Sequence, residues 1–181
     1  MNEESRDGFL FVGNELCLDF LNTSLVMEPG AAPIEMLPDV EALGRWMQAA
    51  ELITAPERAR LVQQRKSPAM ATFWQFRHHL RDTVFQIESG GAPAAAFVAL
   101  VNGLLRDYPH RDVVTGAGMD LVRSKRFEPQ SLLDLFAPLA DSVATLLTLP
   151  DKERLRKCDS CVIHFLDVSK KGTRSPAENQ N

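Results

Sequence analysis

The side chains with the most definite chemical demand are Cys158 and Cys161, a C-x-x-C pair. Two thiols at this spacing on a tight turn can both reach one tetrahedral metal ion. Arg156 and Lys157 directly precede them and favour the thiolate forms. A structural zinc site needs four ligands, and the third cysteine of these 181 residues, Cys17, stands alone far upstream. His164 is the one nearby histidine, on the strand expected to leave the knuckle, and C-x-x-C-x-x-H matches no familiar four-ligand cage. A thioredoxin-like reading fails on context, because no βαβ unit surrounds the motif.

A second group could bind rather than coordinate. Asp19 and Asn22 stand in the run LCLDFLNT, and Arg77 and Arg81 lie one helical turn apart further along. An arginine pair of that kind can clamp a carboxylate or a phosphate. The competing reading is that Asp19 pairs with one of these arginines inside the fold, since buried polar groups normally find protein partners. Cys17 reads as a small buried hydrophobe. No Ser or Cys sits in a strained glycine elbow, and there is no phosphate-cradling glycine loop and no H-E-x-x-H. The expectation is a protein that is not an enzyme.

The elements that must position these groups are legible in outline. FLFV-GNE-LCLDFLNT reads as two β-prone runs about Gly13-Asn14, hence a hairpin with strands near 9–13 and 15–22, and Asp19 among apolar neighbours on the second. Residues 28–38 carry three prolines and form a loop. Asp39 caps a helix to about Glu51, and Thr54-Ala55-Pro56-Glu57 is a capping box that opens another to about Lys66. Ser67-Pro68 opens a longer helix, with Phe73, Phe76, Leu80, Val84 and Ile87 at helical spacing, stopped at Gly90-Gly91. A fourth helix runs from about Pro93 to Tyr108, with Phe97, Leu100, Val101, Leu104 and Leu105 on its stripe. A second hairpin about Gly116-Ala117-Gly118 and an amphipathic helix from Ser131 to Leu149 complete the pattern. The sum is an α+β domain of two hairpins in one small antiparallel sheet, with about five helices, over residues 1–150, followed by a short tail at 151–181.

Charge divides the chain at the same place. Residues 1–150 hold 13 basic and 19 acidic side chains, a net −6, whereas residues 151–181 hold 7 and 5, a net +2. Attraction to a polyanion therefore belongs to Lys152, Arg154, Arg156, Lys157, Lys170, Lys171 and Arg174, and the rest of the chain repels one. The bland reading of those residues is a solvated charged tail. No apolar run approaches the ~18 residues of a membrane helix, and the start, MNEESRDGF, is polar and acidic, so a cytoplasmic location is expected.

The two ends of the chain together resemble a known family. FVGNELCLDFLNT resembles the opening glycine turn and L-D-F-x-N-T element of ABATE-domain proteins, here Leu18, Asp19, Phe20, Asn22 and Thr23. RLRKCDSCVIHFLDVSKKGTR resembles the start of the CGNR-type zinc finger that follows that domain, here Arg154, Arg156, Cys158, Cys161, Phe165, Asp167, Ser169, Gly172 and Arg174. The middle matches loosely, through the helices, Leu80-Arg81 and Asn102. The family's members are regarded as stress-induced bacterial transcription regulators. The resemblance implies an N-terminal domain that senses a small ligand, with Asp19, Asn22, Arg77 and Arg81 as candidates. It also implies a treble-clef-like tail with zinc on Cys158 and Cys161, and with Arg154, Arg156, Lys157, Lys170, Lys171 and Arg174 on DNA. The family continues into W-C and C-G-N-R, where this chain has SPAENQN after Arg174. A truncated finger, a decayed one, and a homodimer sharing one zinc through two C-x-x-C pairs all remain open. The alternative function is a ligand-binding or protein-interaction module without DNA contact.

Overall fold

A computed structural model describes residues 5–25, 32–63, 69–108, 111–158 and 162–169. The first hairpin is shorter and earlier than the sequence pattern suggests: β1 (Ser5–Arg6) pairs antiparallel with β2 (Phe9–Leu10). The turn at Gly13-Asn14 is real, with Asn14 in the left-handed region at φ 58°. Beyond this turn the chain forms a helix, α1 (Leu16–Leu21), in place of the expected strand. Its residues Cys17 to Leu21 are all buried, so apolar side chains occur on every side and periodicity cannot separate a core helix from a strand. Glu15 starts it, its carbonyl accepting from the Leu18 and Asp19 amides. Asp19 therefore points back to the turn rather than across a sheet.

Two-residue strands β3 (Ser24–Leu25) and β4 (Ile34–Glu35) pair next. Then α2 (Val40–Ala49) begins where the Asp39 carboxylate accepts from the Ala42 amide at 2.8 Å. α3 (Ala55–Val62) opens on the Thr54–Glu57 capping box, in which the Thr54 amide donates to Glu57 at 2.7 Å. α4 (Ala69–Glu88) is the spine of the domain, followed by Gly90 at φ 76° and then by α5 (Ala95–Asp107). Strands β5 (Arg111–Ala117) and β6 (Asp120–Arg126) form the expected second hairpin, turning at Gly118 with φ 61°. Gly116 in β5 has φ 122°, and a Cβ there would collide with the Asp120 carbonyl oxygen. A capping box at Ser131–Asp134 opens one 3₁₀ turn, and α6 (Phe136–Thr148) comes directly after it. Pro138 lies in the first turn of α6, where its missing amide has no partner to lose. Strands β7 (Leu155–Lys157) and β8 (His164–Leu166) close the described chain.

The class is α+β, with six α-helices and four separate two-stranded antiparallel sheets among the described residues, in place of a single small sheet. The core is aromatic at its centre. Phe73 stacks on Phe136 at 4.5 Å, and Phe20 lies 5.6 Å from Trp46. Leu155 and Leu166 of the β7–β8 hairpin belong to the same buried cluster, and the hairpin packs on α1 and α4. The described part of the basic tail is thus folded onto the larger domain. No described helix is long and apolar enough to cross a membrane.

Candidate functional site

The residues from Gly13 to Ser24 form a hub in which nearly every polar group holds another segment of the chain. The Gly13 amide donates to Asp19 Oδ1 at 2.8 Å, and the Val12 amide also binds that carboxylate. A Cβ on Gly13 would lie 2.7 Å from Leu18 Cβ, so α1 folds back this tightly only behind a glycine. Burial pushes the Asp19 carboxyl up to about 6, against the two amides and the more distant Arg6, which pull it down. Asp19 pairs with neither Arg77 nor Arg81, since the helical course of α1 aims it at the turn.

Asn22 binds the tail. Its amide group donates to the His164 carbonyl at 2.8 Å and its Oδ1 accepts from the His164 amide at 3.0 Å. The side chain thereby takes the place of a neighbouring strand beside β8. Leu166 is held in the same way, its amide donating to the Gly13 carbonyl at 2.8 Å while Asn14 donates to its carbonyl at 2.8 Å. The His164 ring is buried, with Nδ1 2.8 Å from Glu88 Oε1 and Phe85 edge-on at 5.1 Å.

The two arginines serve the segment after α1. Arg77 is buried on α4, donates to Thr23 Oγ1 at 2.6 Å and forms an ion pair with Glu35. Its guanidinium also lies over the Phe20 ring at 5.6 Å. Arg81 donates to the carbonyls of Leu21 and Ser24, satisfying the end of α1. Burial, with the Arg77 charge alongside, lowers its pKa. The polar atoms of Asp19, Asn22, Arg77 and Arg81 are thus spent on the protein itself. An anionic ligand would have to displace Glu35 from Arg77.

Sequence reasoning missed Glu35 and Glu88. Glu88 left a signal, falling seven residues after Arg81 on one stripe of α4. Glu35 left none. Cys17 is fully enclosed, the small buried hydrophobe expected, and burial pushes its thiol up to about 12.

In the tail, Arg156 and Lys157 are exposed on β7. Arg154 is held by Asp151 at 3.2 Å and by the Asp167 carbonyl at 3.3 Å. Lys152 donates to the carbonyls of Leu146, Leu147 and Leu149, closing the end of α6. Cys161, Lys170, Lys171 and Arg174 lie outside the described residues. Cys158 is buried, and its amide donates to the Ile163 carbonyl at 2.9 Å. No three His, Cys, Asp or Glu among the described residues are placed to hold a metal.

Two concavities are lined by described residues. One is a broad cleft of about 660 Å³ by Gln48, Glu51, Glu57 and Arg60. The other is a crease of about 250 Å³ between α4 and α5.

Comparison with known proteins gives one positive finding. A family model described as "ABATE: Putative stress-induced transcription regulator" matches residues 14–150, more than half of the chain. No curated protein matches.

Proposed function

The chain belongs to the ABATE family, and from that premise we propose that it regulates transcription by sensing a small ligand in its N-terminal domain and touching DNA with its basic C-terminal hairpin. The observation that carries this reading is the bolting of β8 to the hub at Asn14, Asn22 and Gly13, while β7 keeps Arg156 and Lys157 exposed. A basic hairpin held this firmly is a rigid extension of the domain, so any shift of α1 or α4 reaches it. Lys170, Lys171 and Arg174 extend the positive charge along the sequence. Contacts from such residues go to phosphates and carry affinity without base readout.

The test is binding of a labelled duplex across a salt series. Neutralising both Arg156→Gln and Lys157→Gln reduces the slope of log K against log salt by about 2, because each phosphate contact contributes about 0.9. Both side chains are exposed, so the fold is retained. No binding by the parent protein near 0.1 M salt, or an unchanged slope, would favour the module without DNA contact.

Zinc enters this reading between copies rather than within one. With one C-x-x-C in each chain, the four thiolates of Cys158 and Cys161 from two chains make up one tetrahedral ligand set. Elemental analysis of metal-supplemented protein should return about half an equivalent of zinc per chain, given four ligands per ion. One full equivalent, or none, removes the shared site.

A further inference from the structure

α5 is an apolar helix that the fold only half uses. Of its residues only Phe97 and Val101 are buried, and Leu100 remains 39% exposed. α5 packs chiefly on α6 and only lightly on α4, which presents Thr72, Gln75 and His79 at helical spacing across a crease of about 250 Å³. Its floor is Phe76 and Phe136, edge to face at 5.3 Å, and Leu100 and Leu104 form one wall. Thr72 and Gln75 hydrogen-bond no other described residue through their side chains, so the polar rim has donors and acceptors to offer. The broader cleft is a poorer host, because Glu57 is spent on Thr54 and Arg60 on the Pro129 carbonyl and Gln130.

We propose that the α4–α5 crease binds a single-ring aromatic molecule bearing one oxygen substituent, the ring on Phe76, Phe136 and Leu104 and the oxygen toward Thr72, Gln75 and His79. This rests on the ligand-sensing reading and names its site. The size suits one ring: a closed dry cavity of about 150 Å³ takes benzene, and this crease of about 250 Å³, open to solvent on one side, can seat a ring with its substituent toward the opening. Aromatic floors favour a flat ring, and a rim that is polar on one side only fixes which edge of the ring carries the oxygen. The crease is also placed to matter, since the same α4 carries Arg77, Arg81 and Glu88, which hold α1 and the tail hairpin.

The experiment is a titration of the full chain with p-cresol, followed by two-dimensional amide NMR. The expected result is saturable shifts centred on residues 72–79 and 97–104, with a Kd below about 1 mM, a modest demand for a ligand of this size. Thr72→Trp, which fills the crease from an exposed helical position, weakens binding at least ten-fold while the spectrum stays dispersed. Leu100→Trp gives the same loss from the opposite wall. Shifts that do not saturate by 5 mM, shifts centred on the Gln48–Arg60 cleft, or parent-like binding by both variants would overturn the site. Duplex binding is measured with and without p-cresol, so the two readings fail separately. Saturable crease binding that leaves DNA affinity unchanged keeps the site and removes the sensor.

Discussion

Replacing Arg77 with alanine is expected to lower the stability of the domain by about 3 to 4 kcal/mol. Arg77 is almost wholly buried, with its side chain 4% exposed, whereas that of Glu35 is 28% exposed. Removing the guanidinium leaves the Thr23 hydroxyl without its donor, opens a hole beside Phe20 and strips the carboxylate of its counter-charge. Glu35→Gln costs about 2 kcal/mol, because it leaves the buried Arg77 charge beside Arg81 without a counter-ion and one amide oxygen cannot accept from both Arg77 and the Leu37 amide, although the side chain is partly wet. Arg77→Lys falls between, keeping the charge but not the fork that reaches Thr23 and Glu35 together. Urea unfolding of the three variants at neutral pH measures the order. A loss below about 1 kcal/mol in Arg77→Ala would show that the ion pair does not pin β3–β4 to α4, and would reopen Arg77 as a ligand clamp.

How far the sequence reveals this fold depends on how local each cause is. α2 and α3 start where Asp39 and the Thr54–Glu57 box say they should, because a cap is made within four residues. The β5–β6 hairpin is legible for the same reason, its turn being written in Gly118. α1 is not legible, since LCLDFL is apolar all round and only the surrounding core makes it a helix. Asp19, Asn22, Arg77 and Arg81 stand out by residue type and spacing, but the partners that use them do not. Those partners lie 42 residues away at Glu35 and 142 away at His164, and no local pattern points to either. Basic composition hides the docking of the tail. Leu155 enters the core beside exposed Arg156 and Lys157, and β8 is buried along its whole length, only because the hub supplies polar partners for its backbone.

The second large effect concerns Asp19 and acts through pH. Its carboxyl titrates near 6 in the folded chain, against about 3.9 unfolded, so between these values the folded state binds the extra proton. Stability from this group therefore falls as pH rises from about 4 through about 6 and stays low above that. Ionised Asp19 is a buried charge compensated only by the amides of residues 12 and 13 and by distant Arg6, with Glu15 opposing. Asp19→Asn removes that cost, and its Oδ1 can still accept from the Gly13 amide. Relative to the parent, the variant gains about 2 kcal/mol between pH 4.5 and pH 8, since two pKa units correspond to roughly 3 kcal/mol and part is already expressed at pH 4.5. Comparing the two proteins at each pH cancels the groups that do not interact with Asp19. A constant difference across the range would mean that Asp19 is as well solvated folded as unfolded. A gain that tracks the titration would place an ionisable bolt where α1, the Gly13 turn and the β8 strand meet, and would make the hold on the tail hairpin weaker in neutral than in mildly acidic solution.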